Sequence, residues 1–274
     1  MITAGSPRPE ARMPELDVPT LPVAHLQAFA LLRDLDPSVH ELATLAETDP
    51  SLTGSLLRVA NSAVSSPLSR VSTPRDAIVR LGVTEARRLI ISVALSRAFV
   101  GLRGSNIDEP ELWRHLVAVA VLADTLSWGQ VRGTEAFTAG LLHDIGRLAM
   151  AAQHPTKYAG VVRAAQYGID TDLAERRVFG LTHVEWGASI GRQWGFPDQM
   201  VEAIAGHHHG GESALGWVVL RAREVAESLG IGDGVRPPPD APLDGEAFDP
   251  VVFDLGGAEA VLARVERFRS ALAA

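Results

Sequence analysis

Ala139-Gly140-Leu141-Leu142-His143-Asp144-Ile145-Gly146 sets two adjacent ionisable side chains inside an apolar, helix-like run. An unpaired charge is costly to bury, so a core helix carrying His beside Asp needs a partner or a metal for them. Other histidines lie on either side. His115 precedes the pair on another apolar segment, and His183 and the run His207-His208-His209 follow it. Neutral imidazole with carboxylate is a donor set suited to divalent transition metals.

Outward from this stretch the chain reads as helix almost throughout. Period-two alternation is rare, and aromatic residues make up 5% of the chain. Asp36-Pro37, Asp49-Pro50 and Thr73-Pro74 each offer a capping side chain followed by Pro at the first helical position. Thr84-Glu85 is expected to open a helix running toward Val100. Thr182-His183-Val184-Glu185 fits a capping box, and Gly82, Gly180 and Gly195 sit where helices should stop. The pattern predicts short helices from Leu21 to Val100, longer ones over Glu109–Ser127 and Glu135–Gln153, and shorter ones to His209. Ser213–Leu229 and Gly256–Ala273 are predicted helical, with a Pro-rich surface loop from Arg236 to Pro250. No internal repeat of fixed period is present.

Composition bounds the function classes. The chain has 274 residues and 46% hydrophobic content, enough for a substantial core. The best apolar run, Leu89 to Val100, is interrupted by Ser92, Ser96 and Arg97 and does not read as a membrane span. Residues 1–20 are rich in Pro and charge, lack the apolar core of a signal peptide, and are expected to be a flexible tail. The chain has no Cys, which excludes disulfides and thiolate chemistry and fits a cytoplasmic setting. A net charge of −8 and a pI near 5.6 disfavour nucleic acid as a partner.

Several motifs, in order, resemble the HDOD domain family. They are Thr48-Asp49-Pro50-Ser51-Leu52 through Leu56-Leu57-Arg58-Val59-Ala60-Asn61-Ser62-Ala63, then Val71-Ser72-Thr73-Pro74-Arg75-Asp76-Ala77-Ile78 with Leu81-Gly82. Trp113-Arg114-His115, the His143-Asp144 stretch, Thr182 to Gly187, Trp194-Gly195-Phe196-Pro197 and His207-His208 complete the set. The resemblance spans roughly Leu21 to Leu229. It implies an all-helical bacterial signalling module related to the HD phosphohydrolases and mostly without hydrolase activity. By the same resemblance the metal ligands would be His115, His143, Asp144, His183, His207 and His208, holding Fe, Mn or Zn. In HD hydrolases such an ion polarises a phosphoryl group and supplies hydroxide.

The chain departs from that pattern in three places. Arg223 stands where the helix after the histidine run should supply a closing Asp, and no Asp lies between Trp217 and Leu229. An Arg there repels a metal or pairs with Asp144. Arg147 replaces the usual Lys, and His209-Gly210-Gly211 replaces the Gly-Tyr-Pro signature of cyclic-di-GMP phosphodiesterases. Purely structural readings stand beside these. His143 and Asp144 can cap a helix junction, and the histidine run can be a solvated loop. The Arg70, Arg75, Arg80, Arg87, Arg88, Arg97 and Arg103 cluster reads as a solvated helix face rather than a nucleotide site. Asn61 is expected to end the helix that begins at Pro50.

The sequence therefore predicts an all-α protein, an N-terminal helical subdomain packed on an HD-like helical bundle. Residues 21–105 form the first part, 106–230 the bundle, and 231–274 a Pro-rich loop and C-terminal helix. The expected function is a non-catalytic bacterial signal-transduction module acting on a signalling protein partner, with a vestigial metal site and a nucleotide as the candidate small ligand. The alternative is a metal-dependent HD-superfamily phosphohydrolase acting on a nucleotide or phosphoester.

Overall fold

Local capping sets the helix starts. Thr73 accepts from the Asp76 N–H at the start of α4 (Pro74–Leu81). Thr182 and Glu185 form a full capping box that opens α11 (His183–Gln193). α2 (Val39–Glu47) corrects the reading of Asp36-Pro37. Its cap is Ser38, which forms a capping box with Glu41 and leaves Pro37 outside the helix.

In the computed structural model, residues 18–32, 36–62, 70–99, 101–127, 129, 131–236, 252–253 and 256–272 are described. Most of the expected tail and the loop residues 237–250 lie outside them. The remaining helices are α1 (Val23–Ala30), α3 (Pro50–Ser62), α5 (Val83–Ala98), α6 (Glu109–Leu126), α7 (Gly133–Leu142), α8 (Ile145–Gln153), α9 (Pro155–Gln166), α10 (Thr171–Phe179), α12 (Asp198–Gly206), α13 (Ala214–Ser228) and α14 (Ala258–Leu272). No strand occurs among the described residues, so the fold is all-α.

The expected single helix over Glu135–Gln153 is two helices. The break falls at Asp144, whose φ of −99° and ψ of 21° leave the helical region. Close packing lies on either side of it. A Cβ on Gly140 would come 2.8 Å from Ala120 Cα, so α7 lies tight against α6. A Cβ on Gly146 would come 1.9 Å from the His183 carbonyl oxygen, so α8 lies tight against α11. The two helices thus meet different neighbours, α6 and α11, and the chain turns between them at the His-Asp pair.

Helix α6 is buried on all sides from Leu116 to Ala123, as expected for a helix at the centre of a bundle. α7, α13 and α14 pack on it, α8 packs on α11, and α12 lies between α11 and α13. The N-terminal helices dock on this bundle through α5, which meets α7 and α14, and through aromatic contacts. Phe29 of α1 stacks on Trp194 with centroids 5.3 Å apart, and Phe99 approaches the same ring at 6.1 Å.

The arginine cluster is only partly a solvated face. Arg70, Arg75, Arg80, Arg97 and Arg103 are exposed. Arg87 is buried and donates to the Leu31 carbonyl. Arg88 bonds Asp124 and Glu85 and lies over the Phe137 ring at 5.1 Å. Both tie α5 to its neighbours, because long guanidinium stems reach carbonyls and carboxylates that shorter residues cannot. Asn61 does lie in the last turn of α3, where it clasps the Val71 backbone in both directions at 2.9 Å.

Candidate metal centre

The junction of α7 and α8 presents His143 and Asp144 to the start of α11 and the end of α12. Three imidazoles converge on the carboxylate. Asp144 Oδ1 lies 3.2 Å from His183 Nε2 and 3.4 Å from His207 Nε2. Those two nitrogens are 3.3 Å apart, and His143 Nε2 is 3.6 Å from Asp144 Oδ2. Ligands sitting ~2.1 Å from a tetrahedral or octahedral ion are separated by about 3.0–3.4 Å, so the inner spacings match a coordination shell.

The outer ring nitrogens fix the tautomers. His143 Nδ1 and His207 Nδ1 each donate at 2.7 Å to a carbonyl three residues back, Gly140 and Ile204. His183 Nδ1 donates to Glu175 Oε2 at 2.7 Å, and the same oxygen accepts the His183 backbone N–H at 2.7 Å. Tyr158 donates to Glu175 Oε1 at 2.7 Å. Each Nε2 is left with its lone pair pointing inward, the arrangement second-sphere partners impose on metal-binding histidines.

Electrostatics agree with that assignment for His143 and His207, and put a proton on His183 Nε2 when no ion is bound. Burial keeps His207 and His115 neutral, at about 3 and about 4, despite the nearby Asp144. Burial also lowers His183, but Glu175 and Asp144 outweigh it and lift the group to about 9. Two Nε2 lone pairs 3.3 Å apart repel unless a cation lies between them, so the pair holds either a proton or a metal. His115 is fully buried with neither ring nitrogen partnered, and His143 Nε2 also lacks a hydrogen-bond partner. Orphaned buried donors of this chemistry fit a divalent ion.

Several expectations change in detail. His143 does bond the preceding turn, but the Asp144 side chain caps nothing and faces the histidines and Arg147 instead. The histidine run is not a solvated loop: His207 is buried, His208 half-buried and only His209 exposed. His208 stands at the edge of the cluster and pairs with Asp172 at 3.2 Å. Arg223 is buried beside the cluster, but it donates to the His207 carbonyl at 3.1 Å. The partner of Asp144 is Arg147, with Nη1 3.2 Å from Oδ2.

Sequence reasoning missed Tyr158, Asp172, Glu175 and Asp233. Asp172 and Glu175 fall three apart on one face of α10, and the Gly180 turn folds that face back onto His183. That spacing was the available signal. Asp233 lies beyond α13 and reaches Arg147 at 3.1 Å.

A family model for the HDOD domain matches residues 18–210. The chain belongs to the HDOD domain family. A crystal structure of an HDOD domain protein with unknown function from Geobacter sulfurreducens is similar to this HDOD chain, with 25% identity and a TM-score of 0.72. The match covers 92% of this chain and 93% of the other. A candidate phosphohydrolase from Shewanella amazonensis SB2B is 28% identical with a TM-score of 0.72, over 93% and 95% of the two chains. An uncharacterized protein of Treponema pallidum (strain Nichols) is 24% identical over 199 residues. That alignment covers 70% of the HDOD chain and only 38% of the Treponema protein. No helix among the described residues is long and apolar enough to cross a membrane.

Proposed function

We propose that this HDOD domain is a non-catalytic bacterial signalling module that works through protein contacts in the cytoplasm. Its HD-type site holds one divalent ion as a brace. Asp144 Oδ1 and the Nε2 atoms of His143, His183 and His207 would hold the ion, with His115 beside them. Bound there, the ion supplies a cross-link between the α7–α8 junction, α11 and α12. The observation that carries the reading is burial: His115, His143, His183 and His207 are fully buried, and Asp144 is 1% exposed. A hydrolytic centre needs an open coordination position that a phosphoester can reach. Here Arg147 occupies the second oxygen of Asp144, and Arg223 adds a second buried cation near the histidines.

Metal analysis of untagged protein tests this. Expected is a substantial fraction of one equivalent of Fe, Mn or Zn, lost when His143 and Asp144 are both replaced by Ala. No turnover of bis(p-nitrophenyl) phosphate or cyclic dinucleotides should accompany it. Wild-type protein that stays metal-free after reconstitution rejects the brace.

The second reading is a metal-dependent phosphohydrolase, favoured by the inward convergence of three Nε2 atoms and by the likeness to the Shewanella protein. Turnover that disappears in His143→Ala would establish it. In that case Arg223→Asp should raise metal occupancy and rate together.

A further inference from the structure

Among the described residues, the cluster around Asp144 is closed to solvent except at the edge formed by Asp172 and His208. Arg223, at 8%, is the most exposed of the groups that surround the three converging histidines from α6, α8, α13 and the segment after α13. Asp172 of α10 and His208 differ, with 36% and 27% of their side chains open to solvent. They bond each other, His208 Nδ1 to Asp172 Oδ2, at 3.2 Å. Each also touches the interior. Asp172 Oδ1 is itself buried, lacks a hydrogen-bond partner, and lies 3.5 Å from His183 Nδ1. The His208 ring sits 4.3 Å from the His207 ring and 5.0 Å from that of His183, centroid to centroid.

We infer that Asp172 and His208 form a port through which divalent cations reach the buried centre. The inference rests on the reading that the centre holds an ion, and it adds the route. One carboxylate and one imidazole are too few donors to retain a divalent ion against water, but they suit transient capture. The Asp172 charge raises the local cation concentration at the more open edge of the cluster among the described residues. Ring nitrogens of His208, His183 and His207 lie within 4.8 Å of one another. His208 can therefore share an ion with both inner histidines before releasing it to them. The resemblance to HD hydrolases makes His208 an ordinary ligand. In this chain its bond to Asp172 and its exposure set it apart from His143, His183 and His207.

The test separates rate from capacity. Untagged full-length protein is stripped with a chelator and mixed with Co²⁺ in a stopped-flow instrument, and loading is followed by visible ligand-field absorption. Asp172→Asn and His208→Ala should each slow loading by about tenfold or more. Final stoichiometry and spectrum should match the wild type. Glu202→Gln, at an exposed acid on α12, should load at the wild-type rate. Added salt should slow the wild type more than Asp172→Asn, because the carboxylate is what attracts the ion. Both residues are part-exposed, so each variant supports the test if the other fails to fold. Unchanged loading rates in the two variants would overturn the port. A lower stoichiometry or an altered final spectrum would also overturn it and make the pair ligands. Wild-type protein that takes up no Co²⁺ would overturn the metal centre and the port together.

Discussion

Replacing Arg147 by Met removes a cation shared by two buried carboxylates. Its Nη1 lies 3.2 Å from Asp144 Oδ2 and 3.1 Å from Asp233 Oδ2, and it donates to the Asp233 carbonyl at 3.3 Å. Arg147 is 2% exposed, Asp144 1% and Asp233 6%. At ~3 Å and an effective dielectric of ~20, each pair attracts by about 5 kcal/mol. That attraction offsets the cost of burying the charges, so the measurable loss comes from stranding them, about 3–5 kcal/mol. Met fills much of the same volume, which keeps the cavity contribution small. Each kcal/mol shifts the midpoint of a domain this size by about 2–4 °C, so Arg147→Met should melt about 6–20 °C below wild type. Circular dichroism melts with chelator present measure it. Adding Asp233→Asn removes one stranded charge and should recover part of the loss. Divalent metal should recover more, because Asp144 no longer shares its charge with a guanidinium. A metal-free Arg147→Met variant melting within about 2 °C of wild type would refute the reasoning.

Gly146→Ala would drive a methyl into the His183 carbonyl at 1.9 Å and the Gly187 nitrogen at 2.5 Å. It should cost about 3 kcal/mol or more and reduce metal occupancy, and a wild-type midpoint would contradict the α8–α11 packing. Tyr158→Phe leaves a buried oxygen of Glu175 without its 2.7 Å donor. It should cost about 1.5–3 kcal/mol by urea denaturation and weaken metal affinity about tenfold through His183. Unchanged affinity would show that Glu175 does not position the ring. Burial would raise the Asp233 carboxyl, yet Arg147 and the Arg236 and Val235 N–H groups hold it below its ordinary 3.8. Its folded value is depressed, so its contribution is present above 3.8 and is lost as pH falls below that. Asp233→Asn should therefore flatten the loss of stability in acid, read as urea midpoints across that range, and an unchanged slope would reject the pair. Arg88→Glu reverses the pairing with Asp124 between α5 and α6 and should lower stability by about 3 kcal/mol or more. A midpoint equal to wild type would restore the reading of Arg88 as a solvated residue.

Most of the fold was legible because helix signals are local. Thr73, Thr182 and Gly82 act within one turn of themselves, and the structure uses each of them as its sequence context implies. The errors came where local rules compete. Asp36-Pro37 and Ser38 with Glu41 both resemble helix starts, and the reciprocal box gave two satisfied donors instead of one. Periodicity alone ran a single helix through His143 and Asp144, because nothing local reports how closely Gly140 and Gly146 must approach α6 and α11. Glu175 sits beside Arg176 and Arg177 and reads as part of a charged surface, although it is fully buried against His183.

By itself the sequence determined the helical class, the family and the residues able to ligate a metal, since caps, apolar periodicity and ordered motifs are properties of neighbouring residues. Only the tertiary structure decided which of those residues meet. Helix crossings bring His143, Asp144, His183 and His207 together from positions up to 64 residues apart in the chain, and they give Asp144 to Arg147 instead of Arg223. Among the described residues they also leave Asp172 and His208 as the open edge of an otherwise buried cluster. Burial and the direction of a lone pair depend on every element packed around a side chain, and no stretch of sequence contains that information.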